Sequence, residues 1–138
     1  MSPCDPWSVL RTRPDLTVVW AGDLPHGWRG CTDGTTIWIR IGLSQTERRC
    51  TLAHELVHIH HHHTSHQPAA VERQVRAETA RWLIPDLHQL RDALLMPDPA
   101  ADLWVTPAVL RDRLDHLTDA ERQDRKSTRL NSSHRLPS

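Results

Sequence analysis

The chain has 138 residues, which is enough for one domain with a modest hydrophobic core. Its 17 basic and 17 acidic residues give a formal net charge of +0 at pH 7, so no field of a single sign marks it as a binder of nucleic acid or of a membrane surface. Apolar runs are too short to span a bilayer, the three cysteines form no CxxC pair, and the first residues lack a signal-peptide pattern. We therefore expect a cytoplasmic protein with reduced thiols.

The first half of the chain contains patterns that are typical of strands. The stretch DLTVVWAG (15–22) has the β-branched content of a strand. Asp33-Gly34 is a hairpin turn signal, and the residues after it, TTIWIRI (35–41), alternate in polarity. These patterns predict a small antiparallel β-sheet.

The remainder of the chain is predicted to be helical. Ser44 and Glu47 have the spacing of a capping box, so a helix should begin there and continue through HELVH (54–58). Further helices are predicted at three places: Ala69 to Leu83, DLHQLRDALL (86–95), and TPAVLRDRLDHL (106–117), where Thr106 is the N-cap and Pro107 the first helical residue.

The motif with the clearest chemistry is HExxH, formed by His54, Glu55 and His58. Residues four apart on a helix lie on the same face, so both imidazoles can reach one metal ion. Glu55 lies about 100° around the helix, where it can reach a water on the metal rather than the metal itself. Zinc lowers the pKa of such a water to about 7, and a carboxylate can take its proton. The motif predicts His54 and His58 as zinc ligands and Glu55 as the catalytic base.

A catalytic zinc site needs a third protein ligand, and helix geometry excludes one obvious candidate. At 1.5 Å per residue, His62 would lie about 12 Å from His54 along the helix axis, so these two and His58 cannot bind one ion from a straight helix. The metzincin pattern HExxHxxGxxH is also excluded, because positions 61 and 64 are His61 and Thr64.

Three candidates for the third ligand remain. His66 follows the predicted end of the helix, whereas Glu72 and Glu78 lie on the next predicted helix, which is a more rigid mount. The periodicity of that helix does not choose between the two glutamates.

The sequence gives less reason to assign the other histidines to the catalytic site. We expect His60 to His63 to be a solvated helix end that binds metals adventitiously. The chain has no tyrosine, so the donor to a developing oxyanion would have to come from these histidines, His66 or Arg76.

Three segments in order resemble the ImmA/IrrE family of zinc metallopeptidases: RRCTLAHELVH (48–58), ARWLIP (80–85) and ADLWVTPAVLRDRLDHL (101–117). The resemblance implies an α+β fold: a small antiparallel sheet packed on a helical metallopeptidase core, with a helix-turn-helix-like element at the C-terminus. The family's ligand Glu lies thirteen residues before the proline of the middle segment, which corresponds to Glu72 here. The implied set is thus gluzincin-like: His54, His58 and Glu72 around one catalytic Zn²⁺.

The chain is accordingly divided into three parts. Residues 1–15, with three prolines and little periodicity, are expected to be an N-terminal arm. Residues 16–122 are expected to be the metallopeptidase domain. Residues 123–138 are expected to be a disordered tail, and we treat it as a candidate non-native segment because it resembles a stretch found at the ends of unrelated predicted proteins.

The resemblance implies an intracellular endopeptidase with narrow targets, typically helix-turn-helix repressors of mobile elements, prophages or stress-response regulons. Direct binding to nucleic acid is not favoured, because the charges of the C-terminal segment alternate in sign. The main alternative is a non-catalytic regulator that holds a metal on the same scaffold. A third hypothesis is a metal-storage or sensing protein built on the histidine run.

Overall fold

The computed structural model describes residues 5–123, and it confirms an α+β fold. A three-stranded sheet and several helices pack around a long central helix, α2. The elements are α1 (Pro6–Arg11), β1 (Thr17–Ala21), β2 (Gly30–Thr32), β3 (Thr36–Arg40), α2 (Gln45–His60), α3 (Ala69–Leu83), α4 (Leu87–Leu94), α5 (Pro99–Asp102) and α6 (Pro107–Asp115). A last helical segment covers 119–123. Within the described residues, no helix is both long and apolar enough to cross a membrane.

The expected N-terminal arm contains a helix, α1. The side chain of Asp5 accepts hydrogen bonds from the backbone N–H groups of Trp7 and Ser8, and Pro6 occupies the first helical position. Trp7 then packs with Leu10 against the sheet side of the core. The helix has only 6 residues, too few for its apolar periodicity to be recognised, which is why the sequence pattern suggested an arm.

The sheet is mixed, whereas the sequence predicted an antiparallel one. β2 and β3 form the expected antiparallel hairpin, in which the carboxylate of Asp33 accepts from the N–H of Thr36 at 2.8 Å and Gly34 has a φ of 103°. β1, however, pairs in parallel with β3, and the strand order is β1-β3-β2.

The central position of β3 explains this difference. Ile37 and Ile39 are 0% exposed, so the strand that carries them lies in the middle, where each buried side chain contributes roughly 2 kcal/mol. The loop over 22–29 then has to carry the chain from β1 across to the far edge. The guanidinium of Arg40 holds this loop by donating to the carbonyl groups of Trp28 and Pro25.

Helix α2 begins and lies where the sequence predicted. Ser44 and Glu47 form a reciprocal capping box, with N–H to side-chain distances of 3.0 and 3.1 Å. One face of α2 packs on the sheet through Leu52, Leu56 and Ile59. A second face packs on the helical side of the core, in a cluster that includes residues of α3, α4 and α5. The third face, which carries the HExxH motif, is directed to the first half of α3.

The C-terminal helices also follow the sequence prediction. The hydroxyl of Thr106 accepts from the N–H of Val109 at the start of α6, and Pro107 is the first helical residue. After a turn at 116–118, the helical segment over 119–123 begins with a second capping box between Thr118 and Glu121. The predicted tail, 123–138, lies outside the described residues apart from its first position.

Arg113 ties this C-terminal part to α3. Its side chain is 1% exposed and donates to the backbone carbonyl of Ile84 at 2.7 Å and to both carboxylate oxygens of Glu121. All of the guanidinium's charge is therefore balanced inside the fold, as burial of an arginine requires.

Replacing Glu121 by Gln tests how much this ion pair contributes to stability. Glu121→Gln leaves the Arg113 guanidinium buried without a countercharge, so we expect the free energy of unfolding near neutral pH to fall by about 3 kcal/mol. Arg113 lowers the pKa of Glu121 from 4.5 to about 2, so the ion pair stabilises the fold fully above about pH 4.5 and less as the pH falls towards 2. Urea unfolding should show the difference between variant and parent shrinking over that range. Asp119→Asn, which removes an exposed pair with Arg122, is the control and should change nothing measurable.

Candidate metal centre

Helix α2 presents His54 and His58 on one face, one turn apart. The side chain of His58 is 5% exposed and that of His54 is 26% exposed. The two rings meet edge to face with centroids 4.9 Å apart. Both Nε2 atoms lie close to a carboxylate of α3, Glu72. The motif lies in the last turns of α2, and the helical rise between residues four apart sets the separation of the two rings.

Glu72 completes the cluster from the first turn of α3. Its Oε1 atom lies 3.1 Å from Nε2 of His58 and 3.4 Å from Nε2 of His54. In a tetrahedral zinc site with bonds of about 2.0–2.1 Å, neighbouring ligand atoms lie roughly 3.3 Å apart. The spacing and the donor set of two imidazoles and a carboxylate therefore fit a metal ion. Among residues 5–123, these three form the one group of at least three potential ligands whose donor atoms lie within 4.8 Å of one another.

The second oxygen of Glu72 is held by the segment before α3. The N–H of Gln67 donates to Oε2 at 2.9 Å, and Nδ1 of His66 lies 3.5 Å from the same atom. Burial opposes ionisation of this carboxyl, but hydrogen bonds from His54 and from the N–H of Gln67, together with the charges of His58 and His54, lower the pKa of Glu72 to about 2. Glu72 is thus an ionised carboxylate whose orientation is fixed.

Glu55 is the other acidic group of the site, and its environment is different. It is 5% exposed, and burial, reinforced by the negative charge of Glu72 and opposed by His54, raises its pKa to about 7. Two carboxyl groups of one cleft therefore have pKa values that differ widely. Such a separation is typical of sites in which one carboxylate binds and the other exchanges protons.

The cluster lies in a cleft of about 440 Å³ between α2, α3, α6 and strand β2. β2 is an edge strand that approaches α2 closely at Gly30. A Cβ atom at Gly30 would lie 2.6 Å from Cγ2 of Thr51 and 2.8 Å from the carbonyl oxygen of Trp38, so glycine is needed there. This close approach places the edge of the sheet next to Glu55.

The lining of the cleft also includes an aromatic pair and an ion pair. Trp28 stacks on His66 with ring centroids 5.4 Å apart and an interplanar angle of 24°. Arg76, one helical turn after Glu72, lies 3.9 Å from the carboxylate of Asp112 on α6. His66 and Arg76, which the sequence named as candidate donors to an oxyanion, both line the cleft.

The structure places the other candidate metal ligands from the sequence outside the three-residue cluster. Glu78, the alternative third ligand, lies outside the cluster and contacts Nε2 of His61 at 2.8 Å on the surface. His66 is beside Glu72 rather than in the three-ligand group. In the histidine run, His60, His61 and His62 are exposed, as a solvated helix end would be, although His61 pairs with Glu78 of α3. His63 differs from this expectation, because it is half-buried and its Nδ1 lies 3.0 Å from Nδ1 of His58.

Several residues of the site were missed by sequence reasoning. The backbone of Gln67 carries no sequence signal, and Trp28 and Asp112 come from elements whose relative placement a single sequence does not give. A five-residue spacing between His58 and His63 across a helix end was a usable signal, but it becomes meaningful only when the geometry of that end is known.

The fold and the site together define a metallopeptidase-type arrangement, in which an HExxH helix is joined by a carboxylate from the following helix. Residues 12–107 match the sequence model of peptidase family M78, described as the IrrE N-terminal-like domain. The match covers well over half of the chain, and the chain belongs to this family. Searches of curated proteins and of solved structures found no match.

Proposed function

We propose that this protein is a zinc-dependent endopeptidase of the cytoplasm, with His54, His58 and Glu72 as ligands of one Zn²⁺ and Glu55 as its catalytic base. The observation that carries the proposal is the convergence of the three ligand atoms at separations of 3.1 and 3.4 Å beside a buried fourth group, Glu55. Membership of a metallopeptidase family supports the same reaction class.

The donor set fits zinc in a catalytic rather than a structural role. Three protein ligands leave a fourth position for water or substrate, whereas structural zinc sites are closed by four protein ligands. Bound there, zinc would polarise a peptide carbonyl and acidify the attacking water. All three ligand candidates line the cleft, and His54 is the most exposed of them, at 26%.

Glu55 is positioned to move the proton of the reaction. Its carboxylate takes a proton from the attacking water and passes it to the amine nitrogen of the leaving group, so that water is added across the peptide bond. Burial and the negative charge of Glu72 favour the protonated form of Glu55 and raise its pKa to about 7, whereas a Zn²⁺ ion bound beside it would favour the carboxylate. These opposed effects keep its pKa near the range in which a group can both accept and donate a proton.

Two residues of the cleft can stabilise the oxyanion that develops on the scissile carbonyl. Arg76 supplies a cation, lines the cleft and lies 3.9 Å from the carboxylate of Asp112. His66 is held in place by Trp28 and by Glu72. Both side chains are therefore oriented by neighbours before substrate binds.

We propose a helix-turn-helix repressor, or a similar regulatory protein, as the substrate. A peptidase family implies a protein substrate in general. The narrower class rests on the resemblance of the HELVH, WLIP and VTPAVLRDRL segments to ImmA/IrrE peptidases. Any helix-turn-helix repressor encoded beside the gene for this chain would be the first substrate to test.

A matched pair of variants tests the metal site. Glu72→Gln removes a charged ligand, so we expect the Kd for Zn²⁺, measured by competition with a chelator, to rise by more than about 100-fold, beyond the loss usual for a residue that only orients a ligand. Glu78→Gln makes the same chemical change on the same helix, next to His61, and should leave the Kd unchanged. Equal effects of the two substitutions would contradict the ligand set.

Glu55→Gln tests the catalytic step. The variant should keep one Zn²⁺ per chain, because Glu55 is not a ligand, but cleavage of a repressor that the parent protein cleaves should slow by about 10²–10⁴-fold, the usual contribution of a general base. Cleavage is followed by gel electrophoresis and mass spectrometry of the products. Undiminished cleavage would rule out the mechanism. Binding of the repressor without cleavage by either protein would instead support the non-catalytic regulator.

A further inference from the structure

Helix α2 ends in a Schellman motif built entirely from histidines and Ile59. The N–H of His62 donates to the carbonyl of Ile59 at 2.9 Å, and the N–H of His63 donates to the carbonyl of His58 at 2.9 Å. His62 has a φ of 61°, the left-handed conformation that the motif requires and that histidine adopts more readily than most non-glycine residues. The chain reverses there, and His63 lies back over the last turns of α2.

Helix α5 ends in the same motif and shows what usually occupies this position. Trp104 has a φ of 58°, its N–H donates to Ala101, and the N–H of Val105 donates to the carbonyl of Ala100 at 3.0 Å. Val105 and Ala100 are both buried in the helical side of the core. The residue that folds back thus makes an apolar contact, as is usual in the motif. At the end of α2 the equivalent residue is His63, a polar ring.

The ring of His63 contacts the back of a metal-ligand candidate. Its Nδ1 lies 3.0 Å from Nδ1 of His58, with ring centroids 5.2 Å apart. His61 stacks on His63 with ring centroids 5.8 Å apart and is itself paired with Glu78 of α3. His63 is therefore fixed between the HExxH helix and a side chain anchored to the helix that carries Glu72.

The contact between His63 and His58 matters because a histidine that binds a metal needs a hydrogen-bond partner for its other ring nitrogen. His58 faces Glu72 with Nε2, and an imidazole that gives its Nε2 lone pair to a metal carries its proton on Nδ1. That N–H needs an acceptor, which in zinc sites is usually a carboxylate, a carbonyl or a water. We propose that His63 is a positioning residue for the metal site, and that its Nδ1 accepts the hydrogen bond from Nδ1–H of His58.

This hydrogen bond has two effects on His58. It selects the tautomer whose Nε2 lone pair is free for the metal, and it fixes the plane of the ring towards Glu72. His63 in turn carries its own proton on Nε2, away from His58. The inference rests on the proposed metal site. It assigns one histidine of the run, His63, to that site through its contact with His58, and it predicts that the histidines of the run do not contribute equally to metal binding.

Two substitutions separate the hydrogen bond from the packing of the helix end. His63→Leu keeps the apolar contact that stabilises a Schellman motif but removes the acceptor. His63→Asn keeps an acceptor oxygen at the position of Nδ1. His60→Leu, at an exposed position of the same run, controls for a general loss of metal-binding side chains.

The measurement is the Kd for Zn²⁺ by chelator competition on the full chain, with circular dichroism of the metal-free variants as a check on folding. We expect His63→Leu to raise the Kd by 10–100-fold, and His63→Asn and His60→Leu to stay within about 3-fold of the parent. If His63→Leu does not fold, His63→Val serves as the variant without an acceptor, with the same expected loss.

Three results would overturn the inference while leaving the metal site in place: parental affinity in the His63→Leu variant, equal losses in the Leu and Asn variants, or an equal loss in His60→Leu. These three comparisons are meaningful only if the parent chain binds one Zn²⁺ tightly. If the parent itself binds no zinc tightly, the proposed metal site fails, and the role of His63 fails with it.

Discussion

The structure depends on one short-range constraint: a carboxylate of α3 lies 3.1 and 3.4 Å from two imidazole nitrogens of α2. Burial of Glu72 and Glu55 side by side is unfavourable unless their charges are compensated. Glu72 is compensated by two histidines and by the N–H of Gln67, whereas Glu55 relieves the repulsion through a raised pKa. The surrounding elements position these groups. The sheet and the helical core bury two faces of α2, and the segment before α3 fixes the position of Glu72 through the N–H of Gln67.

Local signals in the sequence were sufficient for most of the elements. The capping box at Ser44, the Asp33-Gly34 turn and the proline after Thr106 each act within a few residues, and the structure confirms all three. The parallel pairing of β1 with β3 was not predictable in this way. It depends on which strand buries the most apolar surface and on a loop that crosses the sheet, and both are properties of the assembled core.

The site was predictable to the extent that it follows helical periodicity. Spacing alone placed His54, Glu55 and His58 on one helix, but it left Glu72 and Glu78 equivalent, and only the family resemblance separated them. The contact of His63 was hidden for another reason. Its ring reaches His58 only because the chain reverses at a left-handed residue, and a run of identical side chains does not show where that reversal falls.

The most direct test of the central claim is X-ray absorption at the zinc edge of the protein loaded with one equivalent of Zn²⁺. The account predicts one tightly bound ion with only nitrogen and oxygen ligands at about 2.0–2.1 Å, including the outer-shell scattering of two imidazoles. Sulfur scattering at about 2.3 Å, which would indicate the cysteines, or three or more imidazoles would contradict the His54, His58 and Glu72 site.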